Sequence, residues 1–318
     1  MTPSIHILGA GSIGGLFAAR LSQHCSITLI SRHSTGNLNI RLTGNPEDQL
    51  VVSLPCEPPD SQQPLERLLI TTKSNDTLTA LQSISHRLTT SSQVYLFQNG
   101  LGSHFDILDY LKSSRVPNIA LYAASTTEGA NRPTNGEIIH AGRGQTWFGA
   151  LNAIAKNSGC GSICDLFNQA GFRSNISEDI WAILWKKLAI NCGINPYTAI
   201  CQCRNGDILQ QPLFLDTIDE LSRELELILQ VAGYPEDHET IKARIISVAT
   251  ATAANVSSML QDIYRGKSTE ILAINGFVAK FAAEHGLNAK INEQLTQRVL
   301  SLPASSKLID SSGNTHGE

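Results

Sequence analysis

Short apolar runs alternate with helix-like periodicities through the first half of the chain, the pattern expected of βαβ units around a parallel sheet. This pattern predicts strands at residues 5–8, 27–30, 67–72, 94–97 and 119–123. Two further extended segments, 137–140 and 145–148, flank the turn-like Ala141-Gly142-Arg143-Gly144 and are expected to pair as a hairpin on the sheet edge. After a last strand-like stretch at 173–176 the period becomes helical. Leu215, Ile218, Leu221, Leu225, Ile228 and Ala232 recur at three- and four-residue steps, as one helix face would, and similar patterns cover 241–262 and 270–285. The pattern therefore divides the chain into an α/β domain over 1–176, a helical domain over 177–303 and a small, polar tail over 304–318 that cannot bury a face.

Composition narrows the partners. At 318 residues the chain is long enough for two ordinary domains. Its 24 Lys and Arg against 28 Asp and Glu give a net charge of -4, so there is no basic excess to neutralise a nucleic-acid backbone. The seven Cys lack the paired spacing of a zinc site, so no metal is expected and the thiols read as reduced. No apolar run reaches the roughly 18 residues of a membrane span, and residues 1–7 run into a strand rather than a basic leader. The expectation is a cytoplasmic protein, monomer or homodimer, acting on a small molecule.

The chemistry begins at Gly9-Ala10-Gly11-Ser12-Ile13-Gly14, a G-x-G-x-x-G series between a predicted strand and a helical run. In that context it is a dinucleotide-binding signature: the first glycine permits a tight turn, the second lets a pyrophosphate approach the backbone, and the third allows close packing of helix on strand. The phosphates then meet free N–H groups at the helix N-terminus. Where NAD-binding chains carry a carboxylate after the second strand, this one carries Ser31-Arg32-His33. A cation there attracts a 2′-phosphate, so NADPH/NADP+ is the expected cofactor; an exposed strand-end arginine without a ligand role is the plainer alternative. Ligands of open parallel sheets lie beyond the carboxyl ends of the strands. Lys73 and Asn99 fall at such ends, the latter within Gln98-Asn99-Gly100-Leu101-Gly102, where Asn-Gly is also an ordinary turn dipeptide.

The helical half adds a polar stripe. In the run 179–196 the spacing predicts a helix ending close to Pro196, with Lys187, Asn191 and Asn195 four apart on one side. Lys186 lines up instead with Ile190 and Ile194. Three polar side chains among Trp, Leu, Ile and Ala suggest a wet or ligand-filled cleft; a lysine snorkelling to solvent is the plainer alternative. Further on, Asn255, Ser258 and Asp262 are expected to share a helix face, Gly266 to break that helix and Glu270 to open the next. Glu270 is also explicable as a first-turn acid, and Ser258 as a hydroxyl bonding back to a helix carbonyl.

Together these segments closely resemble the ketopantoate reductase (2-dehydropantoate 2-reductase) family over nearly the whole chain. The resemblance rests on the glycine loop, Lys73, Gln98-Asn99-Gly100-Leu101-Gly102, Gly136-Glu137-Ile138-Ile139-His140, the run from Trp185 to Pro196, Arg204-Asn205-Gly206-Asp207 and the run from Asn255 to Ile263. It implies a Rossmann-type dinucleotide-binding domain followed by an all-helical domain similar to that of 6-phosphogluconate dehydrogenase, with an active site in the interdomain cleft. It implies NADPH-dependent reduction of 2-dehydropantoate to (R)-pantoate, on the way to pantothenate and coenzyme A. Lys187 would then be the proton donor, with Asn99, Asn191, Asn195, Asn205, Asn255 and Ser258 around the substrate. Glu270 would lie near cofactor and substrate, and Ala130 would touch the cofactor from a segment, 126–135, that departs from the family's usual loop. Reduction of another 2-keto acid, or a non-catalytic NADPH-responsive protein on the same fold, are the alternatives.

Overall fold

Successive residues of a strand point to opposite faces, and here both sets are apolar, so the sheet they form must be covered on both sides. The computed structural model describes residues 4–32, 36–44, 48–114, 116 and 118–303; the tail 304–318 and His33 lie outside them. The chain divides into two compact units, one of Met1–Gln98 with Ser103–Ile183 and one of Asn99–Gly102 with Leu184–Glu318.

Among the described residues the first unit holds an eleven-stranded sheet. Its strands are β1 (Ser4–Leu8), β2 (Ser26–Ile30), β3 (Gly36–Thr43), β4 (Leu50–Glu57), β5 (Leu65–Ile70), β6 (Leu88–Leu96), β7 (Ala120–Thr126), β8 (Gly129–Asn131), β9 (Glu137–Gly142), β10 (Thr146–Ala150) and β11 (Ser174–Ile176). In space they run β11-β10-β7-β6-β5-β1-β2-β4-β3-β9-β8. The centre, from β7 through β2, is parallel. Alternate residues divide into two cores: Ile5, Ile7, Leu29, Leu69, Tyr95 and Tyr122 join one with α1 (Ser12–Leu21) and α5 (Gly161–Gln169). Leu8, Ile30, Leu68, Ile70, Leu96 and Leu121 join the other with α2 (Ser74–Ile84) and α3 (Gly102–Ser113). A short α4 (Ala153–Ser158) completes the unit.

Segments 137–140 and 145–148 are strands, as expected, but they do not form the expected hairpin. β9 pairs with β3 and β8, whereas β10 pairs with β7 and β11, so the two lie towards opposite ends of the sheet. The reason is the antiparallel pair β3·β4, seven registered positions long. It extends the sheet beyond β2 and offers β9 an edge that the local turn did not advertise. In its sequence Gly36–Thr43 alternates polar and apolar residues, and Leu50–Glu57 is interrupted by Ser53 and Pro55, so neither reads as a continuous apolar run.

A buried charge network holds this end of the unit. The Arg20 guanidinium pairs with Asp48 Oδ1, Asp48 Oδ2 is 3.0 Å from His140 Nδ1, and His140 Nε2 is 2.7 Å from Glu128 Oε2. Asp48, His140 and Glu128 are all buried. With two carboxylates and one guanidinium, the cluster is neutral only when the imidazole is protonated. The hydrogen bond to Glu128 accordingly raises the His140 pKa, against desolvation and with help from Asp48.

The second unit is helical: most of α6 (Ile180–Cys201), then α7 (Pro212–Val231), α8 (His238–Ala251), α9 (Ser258–Tyr264), α10 (Asn275–Glu284) and α11 (Lys290–Leu300). Three expectations are corrected here. Helix α6 does not stop near Pro196 but continues to Cys201. Burial of Pro196, Tyr197, Thr198 and Ala199 outweighs the roughly 3 kcal/mol that an interior proline costs. The pattern over 241–262 is two helices, because the chain turns at 252–254 and the Ser257 hydroxyl, accepting from the Leu260 N–H at 3.1 Å, caps a new start at Ser258. On α7, Ile218, Leu221, Leu225 and Ile228 are buried as the spacing requires, but Leu215 is 58% exposed and Phe214 takes the core position. Among the described residues no helix is long and apolar enough to cross a membrane.

A histidine whose pKa is raised on folding stabilises fully below its ordinary value of 6.5, and that contribution is lost as pH climbs through the folded-state value. The thermal midpoint is therefore expected to fall in a step as pH rises above 6.5. His140→Ala should abolish the step and cost about 3–5 kcal/mol by leaving buried carboxylates uncompensated. A midpoint that the substitution leaves unchanged would refute this account of the network.

Candidate active site

The glycine loop in the first unit is shaped as the three-glycine pattern requires. Gly9 sits at φ +107°, a conformation that favours glycine, and a Cβ there would lie 2.7 Å from the Thr72 nitrogen. At Gly14 a Cβ would overlap the Gly9 carbonyl oxygen, to which the Thr71 hydroxyl donates at 2.6 Å. At Gly11 a Cβ would meet nothing within 4 Å. Two glycines thus serve internal packing and the middle one borders open space, which is where a pyrophosphate needs to approach. Helix α1 begins at Ser12, with no side chain capping it and no acidic residue in its first turn, so its N-terminal end suits an anion. These features fit a dinucleotide.

The other cofactor candidates of this unit occupy distinct places. Arg32 is exposed just after β2. Lys73 is half-buried at the N-cap of α2, where its extended backbone leads from β5 into the helix. Ala130 lies in the edge strand β8, registered with His140, and its side chain packs on the core. One residue escaped the sequence reading: Arg132 Nη1 donates to the Ala10 carbonyl at 2.6 Å, placing a cation on the glycine loop itself. Its only signal was a basic residue in the segment that departs from the family pattern. Gln98, also unremarked beyond its motif, is buried and donates through Nε2 to the Ile70 and Thr72 carbonyls at 2.8 and 3.2 Å. It thereby clamps the ends of β5 and β6 immediately before Asn99.

Asn99 belongs to the second unit. Its Nδ2 donates to Glu270 Oε2 at 3.2 Å. The backbone around it is hooked to the segment after Glu270: the Leu101 N–H donates to the Ala273 carbonyl at 3.2 Å. Gly100, at φ +77°, approaches that carbonyl so closely that a Cβ would overlap its oxygen. Glu270 itself is half-buried and precedes a single 3-10 turn, Ile271–Ala273, that leads into α10, rather than opening α10 directly.

On α6, Lys187, Asn191 and Asn195 are each half-buried, while Lys186 is exposed although Ile190 and Ile194, which follow it at four-residue steps, are half-buried and buried. Desolvation lowers the Lys187 pKa to about 8, with the Glu270 carboxylate pulling the other way. Lys187, Glu270 and Asn99 thus form one electrostatic group: an ammonium, a carboxylate whose charge favours keeping the lysine protonated, and an amide that holds the carboxylate.

Asn205 is buried, its N–H donating to the Asn255 carbonyl at 3.0 Å and its Nδ2 to Thr252 Oγ1 at 2.9 Å. Its Oδ1 has no hydrogen-bond partner, an unsatisfied acceptor of the kind that a ligand hydroxyl would satisfy. Asn255 does not share a helix face with Ser258, contrary to expectation. It is exposed in the loop before α9, and only Ser258 and Asp262 lie on that helix. Ser258, also exposed, follows the Ser257 cap, whose hydroxyl lies 2.6 Å from Thr198 Oγ1 of α6. Among the described residues no group of three or more His, Cys, Asp and Glu side chains is arranged to hold a metal ion.

Comparison with known proteins places the chain among its relatives. A family model described as ketopantoate reductase PanE/ApbA matches residues 5–153, and its C-terminal counterpart matches 179–302. The 2-dehydropantoate 2-reductase of Vibrio cholerae is 32% identical over 303 residues, covering 95% of this chain and 98% of the relative. The crystal structure of the probable 2-dehydropantoate 2-reductase of Bacillus subtilis superimposes with a TM-score of 0.76 at 27% identity, covering 95% of this chain and all of that one. A D-mandelate dehydrogenase bound to NADH and anilino(oxo)acetate has the same fold, with a TM-score of 0.82 at 21% identity and coverage of 94% and 98%.

Proposed function

The chain belongs to the ketopantoate reductase family, and from that premise we propose that it reduces 2-dehydropantoate to (R)-pantoate with NADPH, using Lys187 as the proton donor. The observation that carries this reading is the half-buried lysine, with its pKa lowered to about 8, on the same helix stripe as Asn191 and Asn195 and facing the charge of Glu270.

The reaction adds a hydride to a carbonyl carbon and a proton to its oxygen. When bound, the reduced nicotinamide supplies the hydride. The protein's part is to hold the 2-keto acid and manage the charge that develops on its oxygen. The Lys187 ammonium meets that charge and delivers the proton, a role in which an acid with a pKa near working pH is most effective. At pH 7 a lysine of pKa about 8 is protonated in roughly nine chains of ten, yet it surrenders its proton far more readily than one in water. Glu270 keeps that proton in place between turnovers, and Asn99 orients Glu270. Asn191, Asn195, Asn205, Asn255 and Ser258 are neutral donors and acceptors suited to the substrate's carboxylate and hydroxyl groups. The Gly9 to Gly14 loop receives the pyrophosphate, with Ala10, Ser12 and Ile13 supplying backbone around it and Arg132 adding a positive charge. Lys73 and Ala130 complete the proposed cofactor contacts. The exposed Arg32 at the end of β2 favours the 2′-phosphate of NADPH over the free ribose of NADH.

Because the donor must carry its proton, kcat should be flat at neutral pH and fall above about pH 8. Lys187→Ala should lower kcat by about 10²- to 10⁴-fold while leaving NADPH affinity within a few-fold. Steady-state NADPH oxidation with ketopantoate and a panel of other 2-keto acids provides the test. Near-normal turnover in Lys187→Ala would overturn the acid assignment, and better turnover of another 2-keto acid would overturn the substrate. For the cofactor, wild-type protein should bind NADPH more tightly than NADH by fluorescence titration, and Arg32→Ala should narrow the gap. Equal affinities in the wild type would contradict that choice.

A further inference from the structure

Pro196 creates a deficit in the helix that carries the proposed proton donor. In an α-helix the carbonyl of residue i accepts from the N–H of residue i+4. Pro196 has no N–H, so the Cys192 carbonyl loses its regular partner in the middle of α6. Cys192 is fully buried, directly after Asn191 and three residues before Asn195. An unpaired carbonyl there would carry the full desolvation cost of a buried polar group.

The missing donor comes from another helix. Asn275, the first residue of α10 and fully buried, directs its Nδ2 to the Cys192 carbonyl at 3.3 Å. The same nitrogen lies 3.0 Å from Asn292 Oδ1, so its two hydrogens have two acceptors. Which end of the Asn275 amide faces Cys192 is fixed by the rest of the chain of bonds. Glu224 Oε1 accepts from the Ile291 N–H at 2.6 Å, and Oε2 accepts from the Asn292 N–H at 3.1 Å. Asn292 Nδ2 also donates to Glu224 Oε2, at 2.8 Å. A carboxylate surrounded by donors forces Asn292 to present its NH₂ to Glu224 and its oxygen to Asn275. Asn275 is left as the donor.

The position of Asn275 gives this bond its reach. Five residues earlier stands Glu270, whose carbonyl accepts from the Ala273 and Ile274 N–H groups at 3.0 and 3.1 Å. Between them is Ala273, whose carbonyl holds the Leu101 N–H beside Asn99. One short segment, Glu270 to Asn275, therefore grips the backbone next to Asn99 at one point and the α6 backbone next to Asn191 at another.

We propose that Asn275 is a positioning residue of the reductase site, replacing the helix hydrogen bond that Pro196 removes and thereby setting the Lys187, Asn191 and Asn195 stripe against Glu270 and Asn99. The inference rests on the reductase reading given above. It ties a proline that interrupts the helix ladder to an asparagine that repairs it from the segment bearing the counter-charge. The repair fixes the helix at the place where substrate donors are carried.

The test uses the full chain. Asn275→Leu keeps the volume and removes the donor; the double variant Asn275→Leu/Pro196→Ala returns a backbone N–H to the Cys192 carbonyl. In Asn275→Leu, kcat with ketopantoate is expected to fall about 10- to 100-fold, the scale of a small misplacement of reacting groups. NADPH affinity should stay within two-fold and the circular dichroism spectrum should remain that of the wild type. The double variant should recover most of the lost kcat. Normal turnover in a folded Asn275→Leu protein, or a double variant as impaired as the single one, would overturn the assignment. If leucine prevents folding, Asn275→Ala with and without Pro196→Ala gives the same comparison. Wild-type protein that fails to reduce ketopantoate would count against the substrate reading alone; the ratios are then read on whichever 2-keto acid the wild type reduces. A wild type that reduces none overturns both.

Discussion

Taking an ammonium out of water while keeping its proton is the constraint around which the second unit is arranged. Desolvation alone would push Lys187 towards the neutral form, and an isolated buried lysine usually solves the problem by losing its charge. Here the Glu270 carboxylate opposes that drift, and the balance falls at about 8. The carboxylate in turn needs a fixed place, which Asn99 provides through a 3.2 Å hydrogen bond. A helix supplies the rest: with four-residue steps, Asn191 and Asn195 follow Lys187 along one side, so a single rigid element carries the proposed acid and the two amides proposed to meet the substrate.

The first unit answers a different constraint, the need to bring a phosphate against backbone. Gly9 and Gly14 are spent on a close turn and a close helix, and Gly11 faces the open space that results. Thr71 and Arg132 hold the Gly9 and Ala10 carbonyls, so the loop's oxygens are occupied within the protein while its helix N-terminus remains suited to an anion. Rigidity of this kind comes from the two-sided core: the strands that end at the loop, at Thr71 and at Gln98 are buried on both faces.

Much of this was legible in the sequence, and what was not has identifiable causes. The central strands are continuous apolar runs, and such runs have few alternatives to a covered parallel sheet. Lys187, Asn191 and Asn195 were legible because helical spacing is local. The pairing of β9 was not, since a Gly-rich turn between two strands reads as a hairpin unless one knows that β3 offers a better edge far away in the chain. The continuation of α6 through Pro196 was hidden for a similar reason. The local rule ends a helix there, and the bond that compensates comes from Asn275, 83 residues removed from Cys192. Arg132 sat in a segment read only as a departure from a pattern, with nothing local to link it to Ala10. Asn255 was placed on a helix face because its spacing to Ser258 is helical; the Ser257 cap, which starts α9 at Ser258, decides otherwise.

The most direct measurement is the titration of Lys187 itself, followed by lysine-selective NMR of the side-chain carbon next to the ammonium and assigned by comparison with Lys187→Arg. The account predicts an inflection near pH 8, well below the ordinary 10.5, that moves lower still in Glu270→Gln, where the carboxylate's pull is gone. A resonance that titrates at the ordinary lysine value, indifferent to Glu270, would contradict it.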